Sequence, residues 1–302
     1  MVGTITVPGS AHDFSGDNLS DILWRDSSGN TALWSMNGGT VVGSASLGNI
    51  PAIWSVVGQR DFNGDTGSDI LWRDTNGNLA IWFMNGSTVT SSAVVANVPT
   101  TWSVVGTGDF NGDGKGDVLW HDGSGNVAIW LMNGATVSST ASLGTIPTTW
   151  SIAGTGDFDG DGKTDILWLD DSGNVAIWLM NGTTIASTLT VANIPLTWSV
   201  AATADFDGDG KADILWRDGS GNVAIWLMNG ATIASSAAVA NVPAIWTVVE
   251  TGDFDGDGKG DILWHDSSGD VAIWFMNGTT LSSSSSVANV PTVWSIQGAS
   301  AD

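Results

Sequence analysis

Hydrophobic and polar positions along this chain alternate in short runs and never recur at helical spacing, so the pattern predicts strands throughout. One stretch shows the arrangement: TWSVVGTGDF, DVLWHD, NVAIWLM and ATVSSTAS follow one another as four strand-like runs. The segments between such runs carry turn chemistry. They comprise an acidic Gly-rich loop, a DGSGN-type hairpin, an Asn-Gly pair suited to a type I′ turn, and a connection ending in proline such as Asn97-Val98-Pro99. Each unit reads as a four-stranded antiparallel meander.

The unit repeats without a slip. DILW, or DVLW in one copy, recurs at Asp21, Asp69, Asp117, Asp165, Asp213 and Asp261, always 48 residues apart. The 18 tryptophans fall into three sets of six, running from Trp24 to Trp264, from Trp34 to Trp274 and from Trp54 to Trp294. The octapeptide VAIWLMNG is unchanged at Val127, Val175 and Val223, the mark of recent duplication or of consensus design. A four-stranded unit of this length in six copies predicts an all-β, six-bladed β-propeller, a single domain over residues 1–302 with units starting near 13, 61, 109, 157, 205 and 253. The position aligned with the Trp-initiated first strand near the N-terminus is Thr6, so the first blade lacks its own copy. Trp294 to Ser300 is therefore expected to supply the innermost strand of the blade begun at Asp13. The alternative is that this strand opens a seventh blade completed elsewhere.

Composition narrows the function. Thirty-one acidic residues face 8 basic ones, a formal charge of -23, which excludes a phosphate-binding surface for nucleic acid and disfavours an anionic membrane. There is no cysteine, which removes disulfides, thiol catalysis and thiolate metal sites and leaves the compartment open. No apolar run approaches the roughly 18 residues of a membrane helix. The opening MVGTITVPGSAH has neither a basic start nor an apolar stretch, so an export signal is expected to be absent or already removed.

The acidity is local. Nine-residue loops begin at Asp13 (DFSGDNLSD), Asp61 (DFNGDTGSD), Asp109 (DFNGDGKGD), Asp157 (DFDGDGKTD), Asp205 (DFDGDGKAD) and Asp253 (DFDGDGKGD). They hold 21 of the 31 acidic residues, which leaves 10 against 8 basic ones. Oxygen ligands fall at loop positions 1, 3, 5 and 9, the spacing that lets alternate carboxylates of a tight loop turn toward one hard dication. The candidate ligands are Asp13, Asp17 and Asp21; Asp61, Asn63, Asp65 and Asp69; Asp109, Asn111, Asp113 and Asp117; Asp157, Asp159, Asp161 and Asp165; Asp205, Asp207, Asp209 and Asp213; and Asp253, Asp255, Asp257 and Asp261. Position 7 adds a backbone carbonyl, from Lys115, Lys163, Lys211 and Lys259 in the last four loops. Without a cation, so many carboxylates within a few ångström would repel one another and titrate high, so Ca²⁺ is the expected cofactor, in a structural role. Glycine at position 6 allows the sharp turn of the last four loops. The first loop, with Ser15 and Asn18, is expected to bind weakest.

The motif D-F-[DN]-G-D-G-K-x-D followed by DILW resembles the FG-GAP or VCBS repeat of integrin α-subunit propellers and bacterial surface proteins. The resemblance covers nearly the whole chain and implies a calcium-stabilised propeller. It maps residue by residue onto the loops at Asp109, Asp157, Asp205 and Asp253, while Asn18 and Thr66 depart from it at position 6. Relatives such as the Psathyrella velutina lectin bind sugars between adjacent blades, and others are adhesion modules or domains of polysaccharide lyases.

Catalysis is not expected. The chain has three histidines, His12, His121 and His265, one glutamate at position 250 and no tyrosine, and four of its basic residues lie inside the acidic loops. A lectin needs aromatic faces and planar polar groups repeated around a ring. Strand alternation places Trp24 and Asp26 on one face, with Arg25, Trp54 and Ser27 to Asn30 nearby, and the expected glycan site is a shallow pocket between blades. Its candidate residues are Trp24, Arg25 and Asp26, Trp72 and Arg73, Trp120 and His121, Trp168, Trp216 and Arg217, and Trp264 and His265. Because a propeller buries both faces of each blade, the same tryptophans also read as wedges between sheets. Trp34 and its equivalents, and the loop phenylalanines from Phe14 onward, read as core. The Asn-Gly-Ser and Asn-Gly-Thr sequons at Asn85, Asn181 and Asn277 are explained by turn geometry. The expected partners are glycans, or a protein in the alternative reading of a non-catalytic adhesion or interaction scaffold; a third reading is a duplicated or consensus-designed propeller without a ligand. The expected location is extracellular or cell-surface, where millimolar calcium fills even weak sites.

Overall fold

A computed structural model describes residues 12–298. Six four-stranded antiparallel sheets form the blades of a β-propeller. Blade 2 is typical: an innermost strand Trp54–Arg60, then Asp69–Asp74, Asn78–Asn85 and the outermost Thr88–Asn97. Blades 3 to 6 repeat it, from Trp102, Trp150, Trp198 and Trp246. Blade 1 contains Ile22–Asp26, Asn30–Asn37 and Thr40–Asn49, and its innermost strand is Trp294–Ile296 from the other end of the chain. The register Trp294↔Asp26 and Ile296↔Trp24 matches Trp54↔Asp74 and Val56↔Trp72 in blade 2. The ring closes as the sequence predicted and there is no seventh blade among the described residues; Thr6 and Ser300 lie outside them.

The pattern of the DILW strand explains how blades stack. Ile22 and Trp24 point to one side and Leu23 to the other, yet all three are buried, because each sheet is sandwiched between two neighbours. The resulting clusters are inter-blade: Phe158, Leu167, Val175 and Ile177 of blade 4 pack with Ile214, Trp216 and Met228 of blade 5. The six loop phenylalanines are fully buried, as expected.

Near the axis the innermost strands approach closely. A side-chain carbon added to Gly106 would stand 2.8 Å from the methyl of Thr155, and one added to Gly154 2.9 Å from that of Thr203. Glycine is what the approach requires at those positions. The threonines then link blade to blade: Thr155 Oγ1 donates to the Thr107 carbonyl (3.3 Å), Thr203 Oγ1 to Thr155 (2.7 Å) and Thr251 Oγ1 to Thr203 (2.9 Å). At the closure, Gln59 Nε2 donates to the Gln297 carbonyl, and Gln297 N–H to Leu23 at 2.8 Å.

Candidate functional site

Five of the acidic loops join an innermost strand to the DILW strand, and the loop at Asp13 leads into the same end of that strand in blade 1, so all six lie on one face of the ring. The first aspartate is held by backbone donors. Asp157 accepts N–H bonds from Gly160 at 2.7 Å, Asp161 at 3.2 Å and Gly162 at 2.7 Å. The last aspartate is fully buried and works as a structural hub. Asp165 accepts from the Met180 N–H at 2.8 Å and the Phe158 N–H at 3.0 Å, tying the loop to two strands of its blade. Burial pushes this carboxyl up to about 7, and the nearby loop carboxylates push the same way against its backbone hydrogen bonds. Asp21, Asp69, Asp117, Asp213 and Asp261 behave alike. Asp13, Asp157, Asp205 and Asp253 are also raised, again chiefly by burial.

Three loops bring carboxylates together. Asp157, Asp159 and Asp165 each offer an oxygen within 4.8 Å of the others, as do Asp205, Asp207 and Asp213, and Asp253, Asp255 and Asp261. Oxygens on opposite sides of a Ca²⁺ bound at 2.3–2.6 Å are separated by about 5 Å, so these donors fit that ion. Positions 1, 3 and 9 converge as expected and position 5 does not. Asp161, Asp209 and Asp257 are instead paired with the ammonium groups of Lys163, Lys211 and Lys259 at 2.7, 2.9 and 2.9 Å. In the loops at Asp61 and Asp109 the position-3 residue is an amide whose NH₂ donates to Asp65 at 3.0 Å and Asp113 at 3.3 Å. These loops present two converging carboxylates at most, and Ser15 gives the first loop no third one. Asn18 and Thr66 nevertheless take the left-handed turn of Gly162, with φ of 68°, 78° and 82°.

The loops also join blades, which their sequence did not reveal. The Thr164 N–H of blade 4 donates to the Asp109 carbonyl of blade 3 at 2.7 Å, and Gly182 to Phe110 at 2.8 Å. Ser20 to Asp253 and Gly38 to Phe254 repeat the pair across the closure, at 2.7 and 2.8 Å.

The opposite face corrects the expected glycan site. Trp24, Trp72, Trp120, Trp168, Trp216 and Trp264 are 1–2% exposed, so their rings form core instead of the walls of a shallow surface pocket, and Trp216 borders a small cavity between blades 4 and 5. One flank of each meets the tryptophan of the adjacent strand, Trp24 with Trp34 at 5.0 Å for example. The basic residues do lie between blades, but they cover the next blade's ring: Arg25 lies over Trp72 at 5.5 Å, Arg73 over Trp120 at 5.1 Å and Arg217 over Trp264 at 5.3 Å. His265 meets Trp24 edge-on at 5.7 Å. Each guanidinium is locked by carbonyls of the connection into the next blade. Arg25 donates to Trp54, and to Ile50 and Pro51 at 3.0 Å each. Asp26 caps its hairpin, accepting from the Asn30 side-chain amide at 2.7 Å and from the Asn30 and Ser28 N–H groups at 2.9 and 2.8 Å, and these bonds hold its carboxyl below the usual range. This face carries a cleft of about 370 Å³ between blades 5 and 6, lined by Ser199, Arg217, Asp218 and Thr247 among others.

Comparison with known proteins adds the family. The FG-GAP-like repeat profile matches residues 61–120, 109–168, 157–216 and 205–264, four overlapping windows that span more than half of the chain. The chain belongs to the FG-GAP-like repeat family. No curated protein sequence matches it. Among solved structures, these FG-GAP repeats are similar to the BBS1N chain crystallised in complex with ARL6DN and soaked with mercury, at 12% identity and a TM-score of 0.49, covering 91% of this chain and 81% of that one. They are also similar to the C-terminal WD40 domain of Sif2, at 16% identity and a TM-score of 0.43, covering 89% and 70%. Among the described residues of these FG-GAP repeats no helix is long and apolar enough to cross a membrane.

Proposed function

We propose that the protein is a calcium-stabilised, non-catalytic interaction scaffold that works outside the cell. The interaction role is carried by one observation: Ile53, Leu196, Ile245 and Val293 stand 46–69% exposed, all in the Pro-x-x-Trp connection between blades, opposite the acidic loops. Large apolar side chains repeated on one rim are what a protein partner buries. The calcium role rests on the converging carboxylates at Asp157, Asp205 and Asp253. Bound there, Ca²⁺ would supply charge neutralisation where blade meets blade, and the chain's own residues would hold it through positions 1, 3 and 9. A non-catalytic role agrees with the employment of the basic groups: lysines on loop aspartates, arginines on tryptophans, and His12 beside the buried Glu250 at 3.8 Å. Millimolar extracellular calcium would fill sites of modest affinity.

A second reading is carbohydrate in the cleft between blades 5 and 6, favoured by its size and by Ser199, Arg217, Asp218 and Thr247 around it. Two measurements separate the readings. Calcium-loaded protein with a photo-crosslinker at Ile245 is compared on cell surfaces with a variant carrying Ile53→Asp, Leu196→Asp and Val293→Asp. Crosslinks to protein that disappear in the variant are the expected result. A glycan array bound equally by both forms, with no crosslinked protein, would replace the scaffold by the lectin. Calorimetry is expected to show the loops at Asp157, Asp205 and Asp253 binding most tightly and the loop at Asp13 most weakly; six equivalent sites would contradict the ligand assignment.

A further inference from the structure

The inter-blade slot filled by Arg25 recurs six times, and its occupant varies. Arg25, Arg73 and Arg217 fill three slots, His121 and His265 stand at two, and Leu169 at the last. In the arginine slots the chemistry is uniform. The guanidinium lies over the next blade's tryptophan and, for Arg25 and Arg73, donates to carbonyls 25, 26 and 29 residues further along: Ile50, Pro51 and Trp54 for Arg25; Val98 (3.2 Å), Pro99 (3.1 Å) and Trp102 for Arg73. Arg217 reaches Pro243 at 3.2 Å and Trp246 in the same way.

Counted from Leu169, the corresponding residues are Ile194, Pro195 and Trp198, and the corresponding ring is Trp216. Leu169 is shorter than arginine, carries no donor and packs against the same inter-blade cluster as Trp216. A cavity of about 160 Å³ is found there, lined by Ile194, Pro195, Trp198, Trp216, Ala224 and Trp226. It sits where the other blades place a guanidinium, beside the residues whose carbonyls would receive one. The side chains around the cavity are apolar, so an occupant's polar partners can come only from the backbone, while the tryptophan faces and the chain's charge of -23 favour a cation over an anion.

We propose that the slot between blades 4 and 5 is a binding site for an external alkylguanidinium, which stacks on Trp216 and donates to the carbonyls of Ile194, Pro195 and Trp198. The planar fork of a guanidinium can span three carbonyls while lying on a ring, and an ammonium cannot. The site is separate from the metal loops, on the opposite face, and does not depend on the scaffold reading.

The test is calorimetry and indole ¹H–¹⁵N NMR with ethylguanidinium chloride at fixed ionic strength, below denaturing concentrations, against ethylammonium chloride. The expected result is one saturable site on the wild type that shifts the Trp198 and Trp216 indole signals, with ethylammonium at least about tenfold weaker because it forfeits a charge-assisted hydrogen bond. Leu169→Arg supplies the guanidinium from within and is expected to abolish binding. Arg217→Leu opens the equivalent slot at Val242, Pro243, Trp246 and Trp264 and is expected to raise the stoichiometry from one to two. Should Leu169→Arg not fold, Ala224→Leu fills the same cavity and carries the loss of binding. No saturable site on the wild type, or undiminished binding to folded Leu169→Arg or Ala224→Leu, would overturn the proposal.

Discussion

Removing calcium should invert the pH dependence of stability. In the metal-free protein the position-9 carboxyls titrate at about 7 instead of 3.8. A carboxyl raised in the folded state binds its proton more tightly there than in the unfolded chain. Its contribution to stability is full below 3.8 and is lost as pH rises through about 7. The rise is worth on the order of a few kcal/mol in a single loop, a sizeable share of the ~5–15 kcal/mol that holds a domain folded. Ionising these carboxyls without a cation therefore weakens the folded ring as pH rises through neutral. Bound Ca²⁺ favours the ionised form and removes the penalty. In chelator the melting temperature should therefore fall between pH 5 and pH 8 by more than about 10 °C, even if one loop dominates. With millimolar calcium it should stay level or rise. The turn carboxylates Asp26, Asp74, Asp122, Asp170 and Asp218 are lowered, so their contribution is lost only as pH drops below the usual carboxylate range, outside this window. Differential scanning calorimetry at five pH values decides the matter. Equal slopes with and without calcium, or a chelated protein that gains stability from pH 5 to 8, would refute the reasoning.

Three further outcomes are expected. Trp168→Ala should cost about 3–5 kcal/mol in denaturant titration, because the ring is 1% exposed and leaves a void between blades; a cost near zero would return that ring to the surface. Thr66→Gly should stabilise by about 1 kcal/mol, since a β-branched residue at φ 78° is strained where four sister loops carry glycine, and a loss of stability would mean that its hydroxyl matters more than its backbone. Deleting Trp294–Gln297 should leave Ile22–Asp26 as an open edge and convert a monomeric elution profile into oligomers; an unchanged profile would show that blade 1 is stable with three strands.

The repeat made the fold legible. Periodic tryptophans and turn residues fixed blade number, strand order and the closing strand, because each repeat meets the same neighbours and one solution serves all six. The clustering of carboxylates at positions 1, 3 and 9 of the last three acidic loops was legible from their spacing. At position 5 the carboxylate is paired with a lysine two residues on, as Lys163 pairs with Asp161, a contact that ligand spacing alone does not show. The tryptophans beside the DILW aspartate were placed between blades correctly and exposed wrongly. Alternation in one strand shows which residues share a face, while the depth of that face depends on the neighbouring blade's Arg25 or Leu169. The Leu169 slot was visible in the sequence as the odd member of a column, but its meaning needed the carbonyls that Arg25 reaches.

Blade 1 unites residues made far apart in time. Ser295 Oγ donates to the Arg25 carbonyl at 3.2 Å across 270 residues of chain. During translation, blades 2 to 6 can each complete themselves from contiguous sequence, whereas the strand at Ile22 waits with an unpaired edge until nearly the whole ring has left the ribosome. Any chain presenting a Trp-Ser-Ile or Trp-Ser-Val strand in that interval is a competent substitute, and each copy of this chain carries five of them and a sixth, Trp-Thr-Val, at Trp246. Crowded synthesis would therefore favour exchanged rings over closed ones, and the yield of correctly closed protein should depend on expression rate more steeply than on the stability of the finished ring.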